Sequence, residues 1–179
     1  GHHESVLRSH SWRTVENSAA YLAPYLTSGT TVLDVGCGPG TITIDIAAIV
    51  EPAKVIGIDA SVEVIEKATE LAAERDIGNV EFVVGNAYEL DYEDESFDVV
   101  HAHQVLQHVS DPVRMLRELR RVRTIDGVVA AFAAARAGDA ILFSPAFASF
   151  DQYPNFRVRA LEFHAWLTAR RSTGQATHP

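Results

Sequence analysis

The chain has 179 residues, 47% of them hydrophobic and 22% charged, which is enough for one globular domain over residues 1–179 and too short for a second. A formal net charge of −9 excludes a nucleic-acid face of clustered basic residues, because phosphate contacts need Lys and Arg. One Cys excludes an internal disulfide and a cysteine-rich zinc site, and no secretory signal or bilayer-length apolar run occurs, so a soluble cytoplasmic protein without a membrane partner is expected.

His2 and His3 have no partners at metal-ligand spacing, and no metal site is expected. Over residues 11–26, Trp12, Val15, Ala19, Leu22 and Leu26 recur near a 3.6 period, predicting an amphipathic helix. "TTVLDVGCGPGTITIDIAAI" then reads as strand, glycine-rich turn and helix, with glycines at 36, 38 and 40 allowing a tight turn and close approach of a ligand. "AKVIGIDAS" is a second buried strand ending in Asp59, followed by a helix with Ser61 as its cap and Val62, Ile65, Ala68 and Leu71 on its buried side. "NVEFVVGNAYEL" and "FDVVHAHQVLQHV" supply a third and a fourth strand before the helix "DPVRMLRELRRV". Arg114, Arg117, Arg120, Arg121 and Arg123 read as the solvated face of that helix.

This alternation implies an α/β fold: a Rossmann-like, doubly wound parallel sheet in a three-layer α/β/α sandwich, of about five strands in the order 3-2-1-4-5. Its ligand crevice lies at the carboxyl ends of the strands, where Gly36 to Gly40, Asp59, Asn86 and His101 to Gln104 fall. The loop spacing is G-x-G-x-G preceded by Asp34, and that carboxylate would repel a pyrophosphate while suiting a ligand with a cation and an amino group.

"VLDVGCGPG", "VIGIDAS" and "VEFVVGNAYELDYEDESFDVVHAHQVLQHVSDP" together resemble the class I S-adenosylmethionine-dependent methyltransferases, near their ubiquinone/menaquinone-type small-molecule branch, over residues 5–123. The resemblance implies S-adenosylmethionine or S-adenosylhomocysteine as ligand. Asp34, Gly36, Gly38 and Gly40 would line its methionine part, Asp59 would hold the ribose, and Ala60, Asn86 and Ala87 would meet the adenine. His103 and Gln104 would close the pocket. His101, His103 and His108 include candidates for a general base, His103 and His108 foremost, with strand-end packing and solvent-facing caps as the other reading. Cys37 belongs in the loop for its small size, and "YELDYEDESFD" reads as a solvated loop.

In such a methyltransferase a fifth strand follows the helix, and "TIDGVVAA" stands where it would lie. Ile125, Val128, Val129 and Phe132 instead run at helical spacing in an alanine-rich segment, predicting a helix, with "AILFSP" as the fifth strand beside "FDVVHA". "NFRVRALEFHAWLTARR" predicts a last amphipathic helix, and residues 172–179 form a tail. From residue 124 to 171 the chain is similar to the carboxyl-terminal end of the Mur ligases, specifically the enzyme adding D-glutamate to UDP-muramoyl-alanine, through "GDAILFSPAFASFDQYPNF". The change of resemblance implies a junction near residues 122–126, as in an engineered chimera that keeps cofactor binding with little or no catalysis. An active small-molecule methyltransferase is the alternative. A monomer or weak homodimer is expected.

Overall fold

The computed structural model of the protein describes residues 13–132 and 142–144. Six strands form one sheet: β1 (Val32–Val35), β2 (Val55–Asp59), β3 (Val80–Val84), β4 (Phe97–His103), β5 (Arg123–Phe132) and β6 (Leu142–Ser144). Their order is β3-β2-β1-β4-β5-β6, so the expected 3-2-1-4-5 order holds and a sixth strand extends it. Every neighbouring pair is parallel except β6, which runs antiparallel to β5. Helices α1 (Val15–Ser18), α2 (Thr41–Val50), α3 (Val62–Glu74) and α4 (Pro112–Arg121), with a 3-10 helix (Ala20–Tyr25), flank the sheet.

The central strand β1 is buried at all its positions, as a parallel strand covered on both faces must be. Its side chains alternate between two cores. Val32 joins Val99 of β4, Ala130 of β5 and Ile42, Ile46 and Val50 of α2, whereas Leu33 and Val35 join Val100, Val129 and Ala131 with Met115 and Leu119 of α4. Helix on one face and helix on the other make the three layers. Asp111 starts α4 by accepting from the Arg114 backbone N–H at 2.9 Å, with Pro112 at the first helical position. A cap of this kind is worth about 1 kcal/mol.

Residues 133–141 and 145–179 lie outside the described residues, and with them most of the Mur-ligase-like segment and the last predicted helix. Within the described part, the expectations for the end of the sheet are corrected. "GVVAAF" is not helix but the end of β5, paired in parallel with β4 from Val99↔Val128 to His103↔Phe132. Val128 and Ala130 face one core and Val129 and Ala131 the other, so the strand is apolar on both faces and shows no alternation. Only its first half departs from regular pairing, where the register shifts and Arg123 Nη1 donates to the Ile125 and Gly127 carbonyls, at 2.9 Å each. Ile125 is consequently exposed, and the apparent helical spacing is that of an irregular strand start. "AILFS" is not the parallel fifth strand either. The connection from Phe132 to Leu142 is shorter than the dozen or more residues a parallel crossover takes, and it returns antiparallel. The expected junction near residues 122–126 rested on a helix after it and falls with that helix, because the chain passes there from α4 directly into β5.

The helix expected over 11–26 is, in its described part, two short elements. Thr14 and Asn17 form a reciprocal capping box that opens α1, and Ala19 leaves the helical region at φ −133° before the 3-10 helix that contains Pro24. Ser61 precedes α3 as expected, but its hydroxyl donates to Glu63 and makes no cap. The buried face of α3 is Val64, Ile65, Ala68 and Ala72, with Val62 exposed and Leu71 half-buried. Two arginines also leave the expected solvated face. Arg123 lies buried in β5, and Arg121 holds Glu118, Asp94 and the Leu90 and Tyr92 carbonyls.

Candidate functional site

Parallel register brings the chemistry-bearing residues to one end of the sheet. β1 pairs with β2 through Val35↔Ile58 and with β4 through Asp34↔His101, so the ends of three strands open on the same side. Between β1 and α2 the chain turns on Gly36, Gly38 and Gly40, with φ of 76°, 56° and 79°. Such positive φ favours glycine strongly, and two of the three also have neighbours that forbid a side chain. A Cβ on Gly36 would sit 2.2 Å from Val105 Cγ2, and one on Gly40 would sit 2.6 Å from Phe82 Cζ. At Gly38 a Cβ would meet nothing within 4 Å, so the open side of the loop is there.

Asp59 braces that loop. Its carboxylate accepts from the Gly38 N–H at 3.2 Å and from the Ser61 N–H at 3.0 Å, while the Gly36 and Cys37 N–H groups are taken by the Ile58 carbonyl at 2.7 and 2.9 Å. The loop therefore offers a ligand its open surface at Gly38 rather than a row of free donors. Cys37 is buried within it; burial first, then the charges of Asp34 and Asp59, push its thiol well above the ordinary range, and it stays protonated.

Asp34 is only 2% exposed. Thr43 Oγ1 of α2 donates to its Oδ2 at 2.6 Å, and its Oδ1 lies 2.8 Å from His101 Nδ1. Burial alone would raise the carboxyl; the His101 charge, the hydrogen bonds from His101 and Thr43 and the nearby His103 outweigh it and hold the group below the usual carboxylate range. His101 is itself fully buried, and its Nε2 lies 2.8 Å from the Tyr21 hydroxyl. That hydroxyl also lies 3.2 Å from Nδ1 of half-buried His103.

The remaining predicted residues spread around this centre. Gln104 follows β4 with φ 57°, its Oε1 accepting from Arg13 Nη2 at 2.9 Å. Ala60 and Asn86 are exposed at the ends of β2 and β3, Ala87 is half-buried, and Asn86 Oδ1 accepts from the Tyr88 N–H at 3.0 Å. His108 lies on the exposed turn after β4, its Nε2 3.4 Å from Gln107 Nε2. Thus the structure joins Asp59 to the glycine loop and Asp34 to His101, and His108 makes neither connection. Sequence reading missed Tyr21, Thr43 and Val105. No local signal marks Tyr21: its partners stand 80 and 82 residues away. Among the described residues no helix is long and apolar enough to cross a membrane.

A family model described as a methyltransferase domain matches residues 26–141. The chain is 40% identical over 130 residues to an uncharacterised methyltransferase of Schizosaccharomyces pombe, covering 69% of this chain and 47% of that protein. It is 35% identical over 139 residues to a probable methyltransferase of Aspergillus luteorubrus, covering 73% and 49%. Among solved structures it is similar to a SAM-dependent methyltransferase from Aquifex aeolicus, with a TM-score of 0.65, 25% identity and coverage of 73% and 72%. The chain spans about half the length of the two curated relatives. The family match also runs unbroken across residues 122–126.

Proposed function

The chain belongs to the methyltransferase-domain family, and from that premise we propose that it binds S-adenosylmethionine against the glycine loop and Asp59. The observation that carries this reading is the pairing of an open loop face at Gly38 with a carboxylate fixed beside it. The residues fit the group. An ionised carboxylate has about four lone-pair sites and Asp59 commits two of them to backbone N–H groups, which leaves acceptors for a ribose diol. Ala60, Asn86 and Ala87 would meet the adenine, and His103 and Gln104 would close the methionine side. Asp34 acts from within, through Thr43 and His101, as negative charge behind the loop. When bound, the sulfonium supplies an already activated methyl group, so the chain has chiefly to position an acceptor and exclude water.

Cofactor binding and methyl transfer draw on different parts of the chain. The proposed cofactor residues fall between Asp34 and Gln104. The segment "SPAFASFDQYPNF" resembles one that serves an amino acid in a different enzyme, and we place the change of resemblance after residue 141, where the family match ends. Methyl transfer is therefore weak in this reading, since misplacing a nucleophile by a fraction of an ångström is expensive in rate.

Calorimetric titration with S-adenosylmethionine and S-adenosylhomocysteine tests the first part; absence of binding to the folded chain would refute it. A homocysteine-release assay against phenol, quinol and amine acceptors tests the second. Turnover in the usual enzymatic range of about 1–10³ per second on any of them would replace weak transfer by an active small-molecule methyltransferase.

A further inference from the structure

Arg13 stands just ahead of α1 and Gln104 just after β4, and Arg13 Nη2 donates to Gln104 Oε1 at 2.9 Å across 91 residues of chain. We propose that this pair is a subsite for a carboxylate, carried either by the amino-acid end of the cofactor or by the methyl acceptor, on the β4 side of the glycine loop. This deepens the methyltransferase reading and rests on it for the adenosyl ligand, but the pair itself is a property of the chain alone.

Donors outnumber acceptors at this point. A guanidinium carries only N–H groups and no acceptor, so the atom of Gln104 that meets it must be the amide oxygen. The Gln104 amide nitrogen then keeps its own two donors for another partner. Among the described residues, neither side chain makes a further hydrogen bond or an ion pair. What the pair lacks is an acceptor, and a carboxylate accepts without donating. Arg13 is half-buried, and burial, with no neighbouring carboxylate to offset it, lowers its pKa from the ordinary guanidinium value. A cation partly withdrawn from water and facing no anion among the described residues is a place that a bound anion would complete.

The sheet sets the pair beside the proposed cofactor site. β2 and β4 flank β1, so Asp59 and Gln104 stand on opposite sides of the loop that follows β1. Val105, next to Gln104, packs so close to Gly36 that a Cβ there would lie 2.2 Å from its Cγ2. Gln104 itself has φ 57°, in the left-handed region that favours glycine, yet it carries a side chain; strained positions of this kind gather at ligand sites. Two residues after Arg13, the Val15 N–H donates to Asp45 Oδ2 of α2 at 3.1 Å, so the arginine is held from α2 on one side and by Gln104 on the other. A ribose on Asp59 and a carboxylate on Arg13 would thus face each other across Gly36 to Gly40.

Calorimetry of the full chain tests the subsite with three probes: S-adenosylmethionine, its decarboxylated analogue, which lacks only the carboxylate, and benzoate, which carries a carboxylate without adenosine. If the cofactor supplies the carboxylate, Arg13→Met weakens S-adenosylmethionine binding by about 10–100-fold, the scale of charge-assisted hydrogen bonds, without weakening the decarboxylated analogue. If the acceptor supplies it, Arg13→Met leaves both cofactor forms unchanged and abolishes benzoate binding. Equal losses for the two cofactor forms, or no loss for any probe, overturn the subsite. Failure of both cofactor forms to bind the unaltered chain counts against the cofactor reading alone; benzoate binding that depends on Arg13 then supports the subsite, and its absence overturns it. Should Arg13→Met fail to fold, Gln104→Leu is held to the same outcomes.

Discussion

Asp34 on β1 and Asp59 on β2 lie at the same end of paired strands, yet Asp34 is 2% exposed and held by side chains, whereas Asp59 is half-buried and held by backbone N–H groups. The seam between β1 and β4 has closed over its carboxylate, and the seam between β1 and β2 presents one. The difference teaches how a charge is divided between fold and ligand. A buried carboxylate must be satisfied by the protein before any ligand arrives, so its influence outward passes through its partners. A carboxylate pinned by main-chain donors keeps its remaining lone pairs for something else.

Removing each carboxylate should break the fold on one side and ligand binding on the other. The largest effect is expected for Asp34→Ala, which leaves the buried donors of Thr43 and His101 without their acceptor, at about 1–3 kcal/mol each, or about 2–6 kcal/mol in urea denaturation. A pH series sharpens the assignment. Because the folded-state value of Asp34 is lowered, its contribution is present above the unfolded carboxyl value of about 3.9 and is lost as pH falls through the folded one. Asp34→Asn should therefore flatten the acid limb of the stability profile, and an unchanged limb would contradict the assignment.

Gly40→Ala comes next. A Cβ there meets Phe82 Cζ at 2.6 Å and Ala68 Cβ at 2.9 Å on a residue with φ 79°, so overpacking of about 1–3 kcal/mol adds to left-handed strain of about 1–2 kcal/mol in thermal or chemical unfolding. For Asp59→Ala the loss should appear in calorimetry instead: S-adenosylmethionine binding weakened by about 1.5–3 kcal/mol, the scale of hydrogen bonds to a charged group. Unchanged affinity in the folded variant would remove Asp59 from the site. Gly38→Ala is the smallest in stability, about 1 kcal/mol of backbone strain, because nothing lies within 4 Å of the new methyl. It should nevertheless reduce cofactor affinity by filling the open face of the loop. If Gly38→Ala binds normally, the ligand does not lie against that face.

The first four strands were legible because each is a short apolar run closed by a turn, and the glycine and aspartate positions mark where the runs end. β5 was not. Val128 to Ala131 are apolar toward two cores at once, and a strand without alternation cannot be told from helix by period when its start is irregular. Asp59 and Gly38 could be named from spacing, since they flank one β-α-β unit. The partnership of Asp34 with His101 spans 67 residues and follows only from strand register, which no local pattern specifies. Tyr21 was hidden for a further reason: its helix is short, and a 3-10 turn places side chains differently from the 3.6 period by which that segment was read.

Arg121, at the last position of α4, reaches back to the Leu90 and Tyr92 carbonyls and to Asp94. The loop it fastens carries the carboxylates Asp91, Glu93, Asp94 and Glu95 and leads directly into β4. On the ribosome, that loop emerges first and its latch about 1–5 s later, at about 5–20 residues per second. In the interval four like charges repel one another beside the strand that must settle against the centre of the sheet. Vectorial synthesis thus favours β1, β2 and β3 meeting early, with β4 secured only once α4 has followed it out.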